Sequence, residues 1–310
     1  MQFRGGLAQE IAAAAAIAEP GSVGRVRTLI APKELAARLG EQGDIRMLDV
    51  RWRLGGPPGR PQHRAGHIPG SVYVDLDEEL AAHGAPADGR HPLPSIEVLQ
   101  AAARRWGLND GDTVVVYDDL GNLSSARAWW LLRHAGVREV LLLDGALAAW
   151  RAAGLPIATG SEPITPGSVT LTYGHLATLD ADAAAALPGT GVLLDARAGE
   201  RYRGETEPID PRAGHIPGAI SAPAADNLTG DGRFRPAGDL RARFEALGVT
   251  DAAPVGVYCG SGVTAAHGAA ALTIAGFRPA LYPGSWSQWS NLPERPVEIG
   301  DPRGAVPLAH

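Results

Sequence analysis

The feature that most constrains this chain is that much of it is written twice. Ile45-Arg46-Met47-Leu48-Asp49-Val50-Arg51 returns as Gly191-Val192-Leu193-Leu194-Asp195-Ala196-Arg197. Arg64-Ala65-Gly66-His67-Ile68-Pro69-Gly70 returns as Arg212-Ala213-Gly214-His215-Ile216-Pro217-Gly218. Val114-Val115-Val116-Tyr117 matches Val255-Gly256-Val257-Tyr258, Ala135-Gly136-Val137 matches Ala275-Gly276-Phe277, and Gly145 to Trp150 matches Gly284 to Trp289. The blocks keep their order at a spacing of roughly 140 to 150 residues, which is a whole domain and too long for a solenoid unit. A duplicated domain is therefore expected, with one copy over 28–155 and a second over 170–296. Between them lies a linker, 156–169, rich in Thr, Gly, Ser and Pro. Residues 1–27 read as an N-terminal extension outside the fold, frayed or loosely helical, and 297–310 as a C-terminal tail.

Within each copy short apolar runs alternate with helical patterns. In the first, Pro32 suits a helix start, and Leu35 and Leu39 share one face of that helix. Met47–Val50, Thr113–Tyr117 and Val140–Leu143 read as buried strands. Ser95 is placed to cap a helix whose apolar face takes in Val98 and Leu99, and Ala126–His134 and Ala146–Arg151 read as further helices. Continuous apolar strands alternating with helices imply the α/β class. Each copy should hold a mostly parallel sheet with helices on both faces, and ligands should sit at the C-terminal ends of its strands.

One cysteine among 310 residues excludes intramolecular disulfides and thiolate metal sites, and fits a reducing cytoplasm. The nine histidines show no paired metal-ligand spacing. A formal net charge of -6 without a basic block argues against nucleic acid as a partner, and no apolar run reaches the length of a membrane span.

The lone Cys259 closes the run Val255–Tyr258 and precedes Gly260-Ser261-Gly262 and an alanine-rich helical stretch. A strand–thiol–loop–helix arrangement favours an anion through backbone N–H groups and the helix dipole, which makes the thiol a candidate nucleophile. The alternative is a small buried hydrophobe. The duplication weighs against it, because the matching strand end carries Asp118, so the fold does not demand a cysteine there.

Two copies of Asp-x-Arg and Gly-His-Ile-Pro-Gly, a closing Gly-Ser-Trp-x-x-Trp and a single cysteine loop in the second copy resemble the tandem rhodanese sulfurtransferases. The likeness runs from Leu29 to about Pro296. It implies a catalytic second copy and an inactive first one that walls the cleft, with no metal and no organic cofactor. The loop Cys-Gly-Ser-Gly-Val-Thr-Ala resembles that of 3-mercaptopyruvate sulfurtransferases, whereas thiosulfate-preferring members carry Arg and Lys after the cysteine. The small-molecule donor implied is 3-mercaptopyruvate, with thiosulfate the rival. The acceptor implied is a thiol, cyanide or a thioredoxin-like protein, with neither nucleic acid nor membrane involved.

The resemblance also implies roles residue by residue. Cys259 and Ser261 would be catalytic, and Gly260, Gly262, Val263 and Thr264 would cradle the sulfur. Arg201 would bind the donor carboxylate, with Arg212 as the second arginine. His67 would join Ser261 in a proton relay, although no carboxylate stands between Asp49 and His67 to complete it. Other roles are open to these groups: a surface or fold-stabilising ion pair for either arginine, and a brace for a turn in the case of His67, since His215 repeats it. Asp49, Arg51, Asp195, Arg197, Trp150 and Trp289 occur in both copies and read as fold requirements. Trp286 faces Leu147 in the alignment and is open to both core packing and the cleft. A cysteine phosphatase is disfavoured, because the phosphate-binding arginine that such enzymes carry six residues on would fall at Ala265.

Overall fold

A computed structural model describes residues 27–40 and 45–301; apart from Arg27 the expected N-terminal extension lies outside them, as does most of the expected tail. In the first copy β1 (Leu29–Ile30), β2 (Ile45–Asp49), β3 (Ser71–Tyr73), β4 (Thr113–Tyr117) and β5 (Val140–Leu143) form one parallel sheet in the order β1-β5-β4-β2-β3. In the second, β6 (Val192–Asp195), β7 (Ile220–Ser221), β8 (Val255–Tyr258) and β9 (Pro279–Leu281) form a parallel sheet in the order β7-β6-β8-β9. A parallel bridge from Thr178 to Leu281 stands beside β9 as β1 stands beside β5, so the two sheets share one topology.

The repeated motifs brace these sheets. Arg51 grips the buried Asp49 (Nη2 to Oδ2, 2.5 Å) and donates to the Gly66 carbonyl. Arg197 does the same with Asp195 (2.6 Å) and Gly214. The Tyr117 hydroxyl accepts from the Ile68 amide, and that of Tyr258 from Ile216, so each Gly-His-Ile-Pro-Gly turn is tied to its central strand. The indole of Trp150 donates to the Pro156 carbonyl and that of Trp289 to Pro296.

Most predicted elements are present within a residue or two, and Ser95 accepts from the Val98 amide as a cap should. Val98 itself corrects the expected apolar face: it is 48% exposed, and Leu99, Ala102 and Ala103 carry the packing. Residues 156–169 form no helix, and Ala158 makes a β-bridge with His67. Residues 297–301 lie against the second copy, where Glu298 pairs with His215.

One core cluster spans both copies, and each copy adds a smaller one of its own. Helix Val263–Ile274 is apolar all round and buried along nearly its whole length, the signature of a helix enclosed by protein. It packs against helix Ser125–His134 of the first copy, which buries Trp129 and Trp130. Among the described residues no helix is long and apolar enough to cross a membrane.

Candidate active site

Cys259 follows β8 directly, at the C-terminal end of a central strand, and is 3% exposed. Gly262 turns the chain from the strand into helix Val263–Ile274 at φ +78°, and a Cβ there would meet the Pro283 carbonyl at 2.5 Å. A side chain at this position is thus excluded both by conformation and by space. The short helix Ser285–Trp289 holds the loop from outside: Trp286 N–H donates to the Cys259 carbonyl (2.9 Å) and Ser287 N–H to that of Gly260 (2.8 Å).

The loop of the first copy shows what this geometry accommodates. The Asp118 carboxylate accepts from four backbone amides, those of Leu120, Asn122, Ser124 and Ser125, at 2.8 to 3.0 Å. The turn is a ready-made anion nest, filled in the first copy by its own side chain. In the second copy Cys259 stands at the position of Asp118, directly after its central strand.

Cys259 opens onto a cleft of about 550 Å³ lined by both copies. Gly260, Ser261, Val263, Thr264 and Arg201 line it, as the sequence suggested, and Gly262 forms the turn behind. Arg90, from the first copy, joins them. A Cβ on Gly260 would lie 3.3 Å from Arg90 Nη2 and 3.4 Å from Arg201 Nη1, so two guanidinium groups converge beside the thiol. They share Asp210, which Arg90 holds at 2.6 Å and Arg201 at 3.2 Å, and Arg201 also grips Glu207 at 2.7 Å. Two forked cations beside Gly260, in the cleft onto which Cys259 opens, form a seat for an anionic group.

Ser261 donates its hydroxyl proton toward His91 Nδ1 at 2.7 Å, and His91 Nε2 lies 3.2 Å from Asp77 Oδ1. Trp52 Nε1 donates to the other Asp77 oxygen (2.8 Å), and its ring meets His91 edge-on. Burial, helped by the Arg127 charge, pushes the His91 pKa down to about 4, against the pull of Asp77. Near neutral pH His91 is therefore an uncharged imidazole that donates to Asp77 and accepts from Ser261, which is the tautomer a proton relay needs. Its outer end, Asp77, reaches solvent.

Two expected site residues are corrected. Arg212 does not line the cleft. Its guanidinium is spent on the carbonyls of Trp289, Ser290, Leu292 and Arg295, which it gathers at 2.7 to 2.9 Å where the closing helix ends. His67 is fully buried away from Ser261, bonded to the His63 carbonyl (2.8 Å) and to Glu162 (3.4 Å) and stacked on His63. His215 repeats this with the Tyr202 carbonyl and a Tyr202 stack, as a turn brace would. The histidine that meets Ser261 is His91 instead, and the carboxylate beside it is Asp77. Trp286 is wholly buried and bonded to the Arg212 carbonyl, so it belongs to the core.

Arg90, His91 and Asp77 escaped the sequence reading, although one signal was present. Asp88-Gly89-Arg90-His91 returns as Asp231-Gly232-Arg233-Phe234, so His91 against Phe234 is a difference between the copies of the same kind as Cys259 against Asp118.

A family model described as a rhodanese-like domain matches twice, over residues 31–153 and 180–292. A relative from Pseudomonas aeruginosa, provisionally named as a 3-mercaptopyruvate sulfurtransferase, is 47% identical over 283 residues, covering 88% of this chain and 98% of its own. A relative from Mycobacterium tuberculosis, provisionally named as the thiosulfate sulfurtransferase SseB, is 47% identical over 281 residues, covering 89% and 98%. The crystal structure of the 3-mercaptopyruvate sulfurtransferase SseA from Escherichia coli superposes with a TM-score of 0.76 at 31% identity, covering 84% of this chain and 99% of that one.

Proposed function

The chain belongs to the tandem rhodanese-like sulfurtransferases, and from that premise we propose that it moves a sulfane sulfur from 3-mercaptopyruvate, through a persulfide on Cys259, to a thiol or cyanide acceptor. The donor carboxylate sits on Arg90 and Arg201, which brings its sulfur to Cys259. The thiolate attacks that sulfur: an S–S bond forms, the C–S bond breaks, and the electron pair passes into the enolate of pyruvate. The donor's thiol proton is handed through Ser261 to the departing enolate, with His91 and Asp77 holding the hydroxyl in line. The loop amides cradle the sulfur anion through both half-reactions. The acceptor then attacks the outer sulfur, the S–S bond breaks, and the Cys259 thiolate returns.

One observation carries the choice of donor, the 2.7 Å contact between Ser261 and His91. A mercaptopyruvate leaving group must take up a proton, whereas thiosulfate leaves as sulfite and needs none. Thiosulfate transfer is the second reading, favoured by the paired arginines, which suit a dianion, and by the name of the mycobacterial relative. Measuring kcat/KM for both donors with the unsubstituted protein and Ser261→Ala separates them. The proposal expects mercaptopyruvate to be preferred and the variant to lose turnover with that donor far more than with thiosulfate. Equal losses, or a thiosulfate preference, overturn it. Mass spectrometry should find one added sulfur on Cys259, and its absence after incubation with either donor would sink the persulfide route. We assign the protein to the cytoplasm, where a lone thiol stays reduced, and a thioredoxin-like protein is the acceptor we favour.

A further inference from the structure

Behind the cysteine loop lies a charge that the reaction above leaves unused. Arg127 sits in the first turn of helix Ser125–His134 and has no exposed surface. Its guanidinium donates only to backbone carbonyls: Leu80 (3.2 Å), His91 (2.9 Å), Pro92 (3.4 Å) and Gly262 of the cysteine loop (3.3 Å). Among the described residues no carboxylate forms an ion pair with it. A buried arginine is ordinarily paired, because an isolated charge in a low dielectric is costly. Burial accordingly pushes its pKa down to about 10, and of the two influences that oppose this Cys259 is the larger and Tyr173 the smaller.

The duplication supplies a contrast. His267 holds the matching place in helix Val263–Ile274, each residue standing eight positions before the Ala-Gly that follows its helix. Arg127 reaches the carbonyl of Gly262, while His267 lies beside that of Gly121 without a well-aligned hydrogen bond. Gly121 and Gly262 are the corresponding left-handed glycines of the two loops, at φ +66° and +78°. Burial pushes the His267 pKa down to about 3, so its ring is neutral. Each copy thus sends one side chain into the other copy's loop. The loop that holds a thiol meets a fixed cation, and the loop whose carboxylate already takes four amides meets an uncharged ring.

We infer that Arg127 is a positioning residue for sulfur transfer, contributed by the inactive copy, whose charge stabilises the thiolate and persulfide anions of Cys259 and whose bond to the Gly262 carbonyl orients the loop. Holding that carbonyl turns the other side of the same peptide, the Val263 N–H, away from Arg127. The matching amide in the first copy is that of Asn122, which donates to Asp118 at 2.8 Å, so this is the orientation that serves an anion. The guanidinium also holds the His91 carbonyl, which ties the relay to the loop. The inference rests on the reading of Cys259 as a sulfur carrier, but its test does not need a donor.

Cys259 is the sole cysteine, so alkylation by iodoacetamide reports on one site. Its rate is followed from pH 5 to 10 in the unsubstituted protein, Arg127→Met and Arg127→Lys. The other groups around the thiol, Arg90, His91, Arg197, Arg201, Glu200 and Asp226, are common to all three. Arg127→Met should raise the midpoint by about one pH unit and slow alkylation at pH 7 by about tenfold, and Arg127→Lys should restore most of both. An unmoved midpoint in Arg127→Met, or a lysine variant no better than the methionine one, overturns the inference.

Should Arg127→Met fail to fold, thermal stability of the unsubstituted protein and Cys259→Ser across pH 5 to 9 serves instead. A thiol favoured as an anion in the fold contributes stability that is present at high pH and lost as pH falls through its folded ionisation. The difference should therefore grow in favour of the cysteine protein with rising pH, and a constant difference overturns the inference. A shifted alkylation midpoint in a protein that turns over no sulfur donor would sink the sulfurtransferase reading and leave the role of Arg127 standing.

Discussion

Arg90 offers the most direct test of the cleft as a carboxylate seat. Its Nη1 is engaged with Asp210 at 2.6 Å, which locks the fork and leaves Nη2 beside Gly260, where a Cβ would lie 3.3 Å away. The side chain is 23% exposed, so its bond to a bound carboxylate is only modestly screened. A hydrogen bond between charged groups contributes about 1.5 to 3 kcal/mol. Arg90→Met should then lower kcat/KM for 3-mercaptopyruvate by about 10- to 150-fold, mostly through KM if donor and transition state use the contact alike. The assay is steady-state pyruvate release with a saturating thiol acceptor, with thermal melting to confirm that the packing between the copies survives loss of the Asp210 bridge. Mercaptopropionate, which keeps the carboxylate but lacks the ketone, should inhibit the unsubstituted protein and lose affinity in parallel. If Arg90→Met stays within about twofold of the unsubstituted protein in kcat/KM while Arg201→Met collapses, the fork has one tine and the reasoning fails.

Two further outcomes follow from the buried polar groups. His91 and His267 have pKa values depressed to about 4 and about 3, so below pH 6.5 the unfolded chain binds protons that the folded one refuses. Stability should be fully present above pH 6.5 and fall as pH drops, by about 1.4 kcal/mol per pH unit for each histidine. Urea titrations at pH 7, 6 and 5 read this slope, which should drop by about 1.4 kcal/mol per pH unit in His267→Gln, and a slope indifferent to that substitution would contradict the assignment. Asp118→Ala should cost about 3 kcal/mol or more, because four loop amides lose their acceptor together, and Asp118→Asn should fall between. A loss under about 1 kcal/mol in urea unfolding would mean that the nest does not need its anion.

The fold was legible because duplication turned one sequence into a comparison of two. Blocks present in both copies, such as Asp49 and Arg51 with Asp195 and Arg197, mark what the sheet requires, and these residues indeed brace the Gly-His-Ile-Pro-Gly turns. The difference between Asp118 and Cys259 marks what chemistry requires. The same rule misled where a repeated residue looked chemical: His67 carried a motif, whereas the histidine that meets Ser261 stands where the second copy has Phe234. His91 meets Ser261 across 170 residues of chain, a contact set by the packing of two copies and by no local spacing. Arg212 was misread because charge next to a motif says nothing of what the side chain faces, and it faces four carbonyls at the end of a helix.

The shared core between helices Ser125–His134 and Val263–Ile274 makes this chain one enzyme and not two joined units. The thiol and Ser261 come from one half, while His91, Asp77, Arg90 and the buried Arg127 come from the other. Neither half is autonomous: a fragment holding Cys259 would keep a nucleophile with no means of choosing its donor. The half without a thiol is therefore under the same functional constraint as the half that has one. Substitutions at Arg90, His91 and Arg127 are expected to change kinetics although none of the three stands in the half that carries the thiol.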